Sequence, residues 1–198
     1  EEYFEKALKV NPRFIKARRQ LARAYLRNGK YEKADMQIQL ILKENHDDYQ
    51  AQYLKAVYYE RTGQLIKAAD MLEKMVDRMK HYLEGYKKLG ILYIKLLKYD
   101  KAEKAFIKVY QSSPDNPNVC FMLGRLLSMD NSTIPDAVQM YNKALSLNPS
   151  NIQGYIDLGN LYLQIGEEEL ALKLYEKGLE INPDAQDLRA QIDNLKQK

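Results

Sequence analysis

The sequence predicts an all-α fold built from repeated pairs of antiparallel helices. Two segments at equivalent places in successive stretches of chain, YNKALSLNPSN at 141–151 and YEKGLEINPDA at 175–185, share an aromatic residue, a lysine, an apolar pair and Asn-Pro. Apolar residues recur at helical spacing, and no segment shows sustained strand-like alternation. A helix pair repeated at a fixed period is typical of a helical-repeat solenoid, because one pair alone cannot bury its apolar face.

The register set by Asn148 and Pro149 divides most of the chain into five blocks. Their ranges are 15–48, 49–82, 83–116, 117–151 and 152–185, so four blocks are equal in length and the fourth has a single extra position. We expect residues 1–14 to be the end of a preceding repeat and 186–198 to form a capping helix, so that 1–198 is one solenoid domain taken from a longer protein.

Each block is predicted to contain two amphipathic helices. In the last block, Leu158 and Leu161 lie on one apolar helical face, Gly166 ends the first helix, and Pro183 ends the second. A small residue recurs once in each helix, where close approach of two backbones is expected. These positions are Ala22, Ala56, Gly90, Gly124 and Gly159 in the first helices, and Ala34, Ala68, Ala102, Ala137 and Ala171 in the second.

This pattern resembles the tetratricopeptide repeat family. The third block matches the family signature best, through Tyr86, Leu89, Gly90, Tyr93, Ala102, Phe106 and Pro114, whereas Arg18, Gln52 and Cys120 replace the first aromatic residue of other blocks. The resemblance implies a right-handed superhelical solenoid of about five full repeats. It also implies that the first helix of each pair lines a concave groove, and that the protein is an interaction scaffold.

Candidate ligand-contacting residues are the groove positions that helix crossing does not use. Arg19, Arg23 and Arg27 occur at every fourth position, which places three guanidinium groups on one helix face, where they could bind carboxylates or remain solvated. Tyr53 and Phe121 could cover apolar ligand side chains or pack between blocks. The predicted groove set is Lys16, Arg19, Gln20, Arg23, Arg27, Tyr53, Val57, Lys87, Lys88, Ile91, Lys95, Phe121, Arg125 and Asn160.

The charge distribution favours a protein partner with an acidic segment. The net charge of +4 combines +8 in the first three blocks with −5 in the fifth. Two alternatives remain: a nucleic-acid-binding repeat that uses the basic half, and a structural spacer that self-associates head to tail. Nucleic acid is disfavoured because no regular pair of recognition residues recurs in each block.

Catalytic and cofactor chemistry are not predicted. No set of nucleophile, base and orienting residue is apparent, and no glycine-rich phosphate loop follows a strand. His46 and His81 lie on successive turns but lack the further ligands that a metal site needs, and Cys120 is expected to be a buried thiol. We therefore expect no enzyme activity, cofactor or metal. No apolar run is long enough to span a membrane, and the compartment stays open, with the cytoplasm slightly favoured.

Overall fold

The computed structural model describes residues 1–196, so the last two residues of the predicted cap lie outside the described part. All regular elements in this part are helices, which confirms the predicted all-α class. In addition to a single 3-10 turn at Asn131–Thr133, the helices are α1 (Glu2–Val10), α2 (Ile15–Arg27), α3 (Tyr31–Glu44), α4 (Tyr49–Arg61), α5 (Leu65–Arg78), α6 (Leu83–Lys95), α7 (Tyr99–Ser112), α8 (Pro117–Leu127), α9 (Ile134–Leu147), α10 (Ile152–Gln164), α11 (Glu168–Ile181) and α12 (Gln186–Lys196).

The chain divides into two compact units, Glu1–Ala105 and Phe106–Lys198, with the boundary inside α7. In the first unit, α2 packs on α3 and α4 packs on α5, and these pairs also contact each other through α2, α3 and α4. In the second unit, α8 packs on α9, α10 packs on α11, and α12 covers α11. Each unit thus consists of stacked helix pairs.

The small residues lie where the helices of a pair cross. The side chains of Ala22 and Ala34 are fully buried in the first pair. In the second unit, a Cβ atom added to Gly159 would lie 2.2 Å from Cε1 of Tyr175, so only glycine permits this ring to approach the backbone. The predicted close approach of helices at the small residues is therefore confirmed at Ala22, Ala34 and Gly159.

Polar residues that replace the first aromatic residue of a block still have hydrogen-bond partners. Gln52 is buried, and its Nε2 donates to the carbonyl of His46 at 2.7 Å. Cys120 is buried as predicted, with its Sγ 3.5 Å from the carbonyl of Pro114. Arg18 likewise donates to the carbonyl of Pro12. Each of these side chains binds a carbonyl of the preceding turn and so connects that turn to the first helix. Because their polar atoms have partners, these residues can replace an aromatic residue at this position.

Four of the five turns between the two helices of a block contain a residue with positive φ. Gly29, Gly63 and Gly166 occupy equivalent positions with φ of 71°, 77° and 83°, the left-handed region in which glycine has no steric penalty. At the same position in the third block, Leu97 adopts φ of 57°. It is the one residue other than glycine with positive φ among residues 1–196.

None of the described helices is both long enough and apolar enough to cross a membrane. His46 and His81 are exposed, and the described residues contain no group of three or more His, Cys, Asp or Glu placed to hold a metal ion.

Candidate ligand-binding face

Of the three arginines predicted to lie on one face of α2, which we call the arginine stripe, one forms an ion pair and two do not. Nη2 of Arg19 lies 2.6 Å from Oδ2 of Asp48, whose side chain is only 6% exposed. Arg23 and Arg27 are exposed, and within residues 1–196 the side chain of Arg23 donates a hydrogen bond only to the amide oxygen of Gln20, at 3.5 Å. Neither has a carboxylate partner within residues 1–196. Two guanidinium groups are thus available to a ligand, and the third holds the next repeat.

Tyrosine rings lie beside the arginine stripe. The ring of Tyr82 makes edge contacts with those of Tyr49 and Tyr53, at centroid distances of 5.5 and 6.0 Å. Burial, assisted by neighbouring acidic groups, raises the pKa of Tyr53, and burial raises the pKa of Tyr82 to about 12. The positive charge of Arg23 acts to lower the pKa of both tyrosines, as expected for a cation close to the two phenols. The cluster therefore combines a cation with partly exposed aromatic surface.

Most of the predicted lysine positions on α6 are neutralised by Glu60. This carboxylate, on α4, is 6% exposed, and it forms ion pairs with Lys88 and with Lys95, the latter at 2.6 Å. Burial of Glu60 disfavours its charge, but the hydrogen bonds from the two lysines outweigh burial and hold the pKa of Glu60 below its usual value. The predicted basic character of this part of the groove is therefore greatly reduced.

The remaining positions of the first unit are mixed in character. Lys87 binds Glu84 on its own helix at 2.8 Å. Val57 is half-buried and Ile91 is exposed, which leaves apolar surface between the free arginines and the paired lysines. Lys16 and Gln20 are exposed on α2. The face formed by α2, α4 and α6, which we call the first-unit face, is thus basic along one helix and apolar beside it.

Three predicted residues belong to the second unit. The Phe121 ring is buried against Tyr141, with the ring centroids 5.8 Å apart. Nε of Arg125 lies 3.4 Å from Oδ2 of Asp157, and Oδ1 of Asn160 accepts a 2.7 Å hydrogen bond from the Tyr175 hydroxyl. Arg125, Asp157 and Asn160 line a polar cavity of about 260 Å³. The side chains in this group are largely paired with one another.

The residues that sequence reasoning missed are the acidic partners and Tyr82. Asp48 is the last residue of the block that contains Arg19, and it caps the first helix of the next block. Glu60 belongs to the block before that of Lys88, so each ion pair links a first helix to the neighbouring first helix or to its cap. The signal in the sequence that predicts these pairs is the presence of opposite charges roughly one block apart. Tyr82 lies in an inter-block turn, whereas the predicted groove residues all lie on first helices.

The comparisons with known proteins agree with the helix-pair geometry. A tetratricopeptide repeat family model matches residues 1–58 and 128–192, and a second model with the same description matches residues 83–116. The chain belongs to the tetratricopeptide repeat family. This confirms the resemblance inferred from the third block.

Two curated relatives illustrate the range of proteins that contain such repeats. Protein O-mannosyl-transferase TMTC1 of Homo sapiens is 27% identical over 205 residues, which cover 100% of this chain and 23% of that protein. A TPR repeat-containing protein of Methanocaldococcus jannaschii is 27% identical over 183 residues, which cover 83% of this chain and 32% of that protein. The chain therefore spans about a quarter to a third of these relatives.

Solved structures of tetratricopeptide repeat proteins share the fold. The MamA AMB-1 structure is 25% identical with a TM-score of 0.72, and the match covers 90% of this chain and 97% of MamA. YrrB, described as a TPR protein with an unusual peptide-binding site, is 19% identical with a TM-score of 0.77, and the match covers 96% of this chain and 97% of YrrB. At this identity, the likeness to YrrB shows a common fold alone.

Proposed function

We propose that the chain is a protein-interaction scaffold that binds an acidic, partly apolar peptide segment or helix on the first-unit face. The observation that carries this proposal is the placement of Arg23 and Arg27, exposed and without a carboxylate partner in the described part of the chain, beside Tyr53 and Val57. Arginine forks bind carboxylates through two parallel hydrogen bonds, and the tyrosine and valine surface can cover an aliphatic or aromatic side chain.

The separation of charge from apolar surface favours a peptide over a uniform polyanion. A nucleic acid backbone needs a continuous series of free cations, because each neutralised phosphate contributes to affinity. On this face, Lys88 and Lys95 are bound to Glu60, and Lys87 is bound to Glu84. Among the predicted groove residues of the first unit, the free cations are therefore confined to α2, which suits a short acidic motif followed by apolar side chains.

We also propose that the two units form one continuous repeat array over residues 1–198. Family models match segments in both units, at 1–58, 83–116 and 128–192, and the repeat period continues across the unit boundary. YrrB, with its peptide-binding site, is a precedent for this class of partner. We propose binding, and no catalytic step, for this part of the protein.

A display selection with random peptides of about 15 residues, a length that spans a few repeats, tests the proposal. We expect enrichment of peptides in which Asp or Glu residues stand next to Leu, Ile, Phe or Tyr. The variant with Arg23→Glu and Arg27→Glu is expected to lose these peptides by at least about tenfold, because attraction at two positions becomes repulsion.

A matched variant controls for the change in total charge. Lys43→Glu and Lys74→Glu reverse two exposed lysines on the second helices α3 and α5, so this variant should retain the selected peptides. Both variants must show the helicity and melting temperature of the parent. Equal loss in both variants, or selection of peptides without acidic residues, would contradict the proposed site.

A further inference from the structure

One edge of the first unit carries excess positive charge in each of its three helix-connecting turns. The turns at 27–33 and 95–101 each contain three cations and one acidic residue, and the turn at 61–67 contains two cations and no acidic residue. Each turn thus has a net charge of +2. Glu60 at the end of α4 binds Lys95 at the end of α6, which places the second and third turns side by side. We call these three turns the basic turn edge.

Several cations of the basic turn edge remain free. Lys30, Lys95 and Lys101 bind Glu1, Glu60 and Glu73, respectively. The five that have no carboxylate partner within residues 1–196 are Arg27, Lys33, Arg61, Lys67 and Lys98. The edge therefore retains unpaired cations in all three turns, and internal ion pairs do not account for them.

The basic turn edge also exposes apolar side chains. Leu97 is 71% exposed although its positive φ is a conformation that glycine adopts without strain at three equivalent turns. Ile66 on the neighbouring turn is also exposed, as is part of Tyr99. Positive φ is costly for leucine, and a side chain this exposed recovers little of that cost within its own chain, so burial against another molecule would account for leucine at this turn.

The second unit carries the opposite pattern at its own helix-connecting turns. Residues 129–136 contain two acidic residues and 164–170 contain three, and neither segment contains a cation. A 3.3 Å hydrogen bond from Nε2 of Gln164 to Oδ1 of Asn131 joins the two turns. Exposed apolar residues are present here also, namely Met129, Ile165 and Leu170. We call these two turns the acidic turn edge.

We propose that the basic turn edge of one copy of this chain docks on the acidic turn edge of a second copy. The two edges are complementary in charge, and each supplies exposed apolar side chains that the other can cover. Leu97 is the central apolar contact of this interface, and Lys67 and Lys98 flank it. The basic turn edge shares Arg27 and Lys95 with the first-unit face, whereas Lys33, Lys67, Leu97 and Lys98 lie outside that face, so substitutions at these four residues test self-association without changing the proposed peptide contacts.

Sedimentation velocity of the full chain over a concentration series tests self-association. We expect the sedimentation coefficient to rise with concentration in about 50 mM salt and the rise to be much reduced in about 500 mM salt, because salt screens exposed charge pairs. Leu97→Gly should weaken association while leaving the melting temperature no lower than that of the parent. A chain that stays monomeric at the highest concentration in low salt would overturn the proposal.

Charge-exchange variants identify the surfaces. One variant carries Lys33→Glu, Lys67→Glu and Lys98→Glu, and the other carries Asp136→Lys, Glu167→Lys and Glu168→Lys. Each alone should be monomeric in low salt because its two edges then carry charge of the same sign. An equimolar mixture should recover association, because the unaltered acidic turn edge of the first variant can dock on the unaltered basic turn edge of the second. If both variants associate as the parent does, or the mixture stays monomeric, the two edges are not the interface.

Charge-matched control variants separate this interface from general electrostatics. Lys43→Glu, Lys74→Glu and Lys104→Glu change three exposed lysines on second helices, and Glu176→Lys, Glu180→Lys and Asp184→Lys change three exposed acidic residues outside the turns. Both controls should associate like the parent. Loss of association in the controls equal to that in the turn variants would overturn the assignment. Should the acidic-turn variant fail to fold, Leu97→Gly and the basic-turn variant still decide the outcome.

Discussion

Arg19 and Asp48 connect two successive repeats through a 2.6 Å ion pair, and the same carboxylate begins the next helix. Oδ2 of Asp48 binds the guanidinium of Arg19, and Oδ1 accepts a 2.9 Å hydrogen bond from the backbone N–H of Ala51. The cap satisfies one of the unpaired donors at the start of α4, and the ion pair fixes α2 against that start. One side chain thus sets both the helix boundary and the contact between repeats.

Replacing this carboxylate should therefore cost more than replacing its neighbour. We expect Asp48→Ala to lower the free energy of unfolding by about 1–3 kcal/mol, since it removes the cap and leaves Arg19 unpaired. Asp48→Asn should cost less because an amide oxygen can still cap the helix. Urea denaturation measures both. The control is Asp47→Ala, at an exposed position, and equal losses at 47 and 48 would contradict the assigned role.

The Glu60 ion pairs predict a dependence of stability on pH. The two lysines hold the folded-state pKa of Glu60 below the usual value of 4.5, so the stabilisation is present above that value and is lost as pH falls through the folded-state pKa. The stability of the parent should therefore decline more steeply below about pH 4.5 than that of Glu60→Gln. Urea titrations at pH 7 and pH 3 test this. A difference between the two proteins that does not shrink at pH 3 would refute it.

The repeat period made most of the fold predictable from the sequence. Ala22, Ala34 and Gly159 could be assigned to helix crossings because small residues recur once per helix, and steric fit at a crossing depends on size alone. Gly166 marked the end of a helix because its conformation is local. These inferences needed only spacing and residue type, and the helix pairs agree with them.

The candidate site was less predictable because its electrostatics depend on contacts between blocks. The arginine spacing placed Arg19 and Arg23 on one helix face, but it did not indicate that Arg19 forms an ion pair with Asp48. Lys88 was expected to be a free cation, whereas Glu60 pairs with it from the neighbouring helix. The length and rotamers of charged side chains decide such pairs, and a periodic pattern does not specify them.

Leu97 predicts a mutation that improves stability. A leucine in the left-handed region costs about 1–2 kcal/mol, and replacing it with glycine removes this cost. Part of the resulting gain in stability is offset because glycine has greater conformational freedom in the unfolded chain. We expect Leu97→Gly to raise the free energy of unfolding by up to about 1 kcal/mol, and Gly63→Leu to lower it by about 1 kcal/mol. Thermal denaturation in high salt measures both. Clear destabilisation by Leu97→Gly would mean that its side chain packs internally.

The close contact between Gly159 and Tyr175 predicts a position that tolerates no side chain. A methyl group at 159 would overlap the Tyr175 ring, so Gly159→Ala should lower the free energy of unfolding by about 1–3 kcal/mol. Gly124→Ala, with a nearest ring distance of 3.0 Å, should cost less. Adding Tyr175→Leu to Gly159→Ala should recover part of the loss. If the double variant shows simple additivity, the ring contact is not the cause.

Glu60 also predicts a variant that binds acidic peptides more tightly. With Glu60 neutralised, Lys88 and Lys95 lose their ion pairs and can add to the attraction of Arg23 and Arg27 on the first-unit face. We expect Glu60→Gln to increase affinity for the selected acidic peptides by about three- to tenfold in low salt, and the increase to diminish as salt screens the lysines. Fluorescence anisotropy with a labelled peptide measures the change. Glu73→Gln serves as the matched control because it frees a lysine, Lys101, on the turn edge instead of the first-unit face. An equal gain from both variants would assign the effect to total charge, and no gain from Glu60→Gln would place the peptide away from α6.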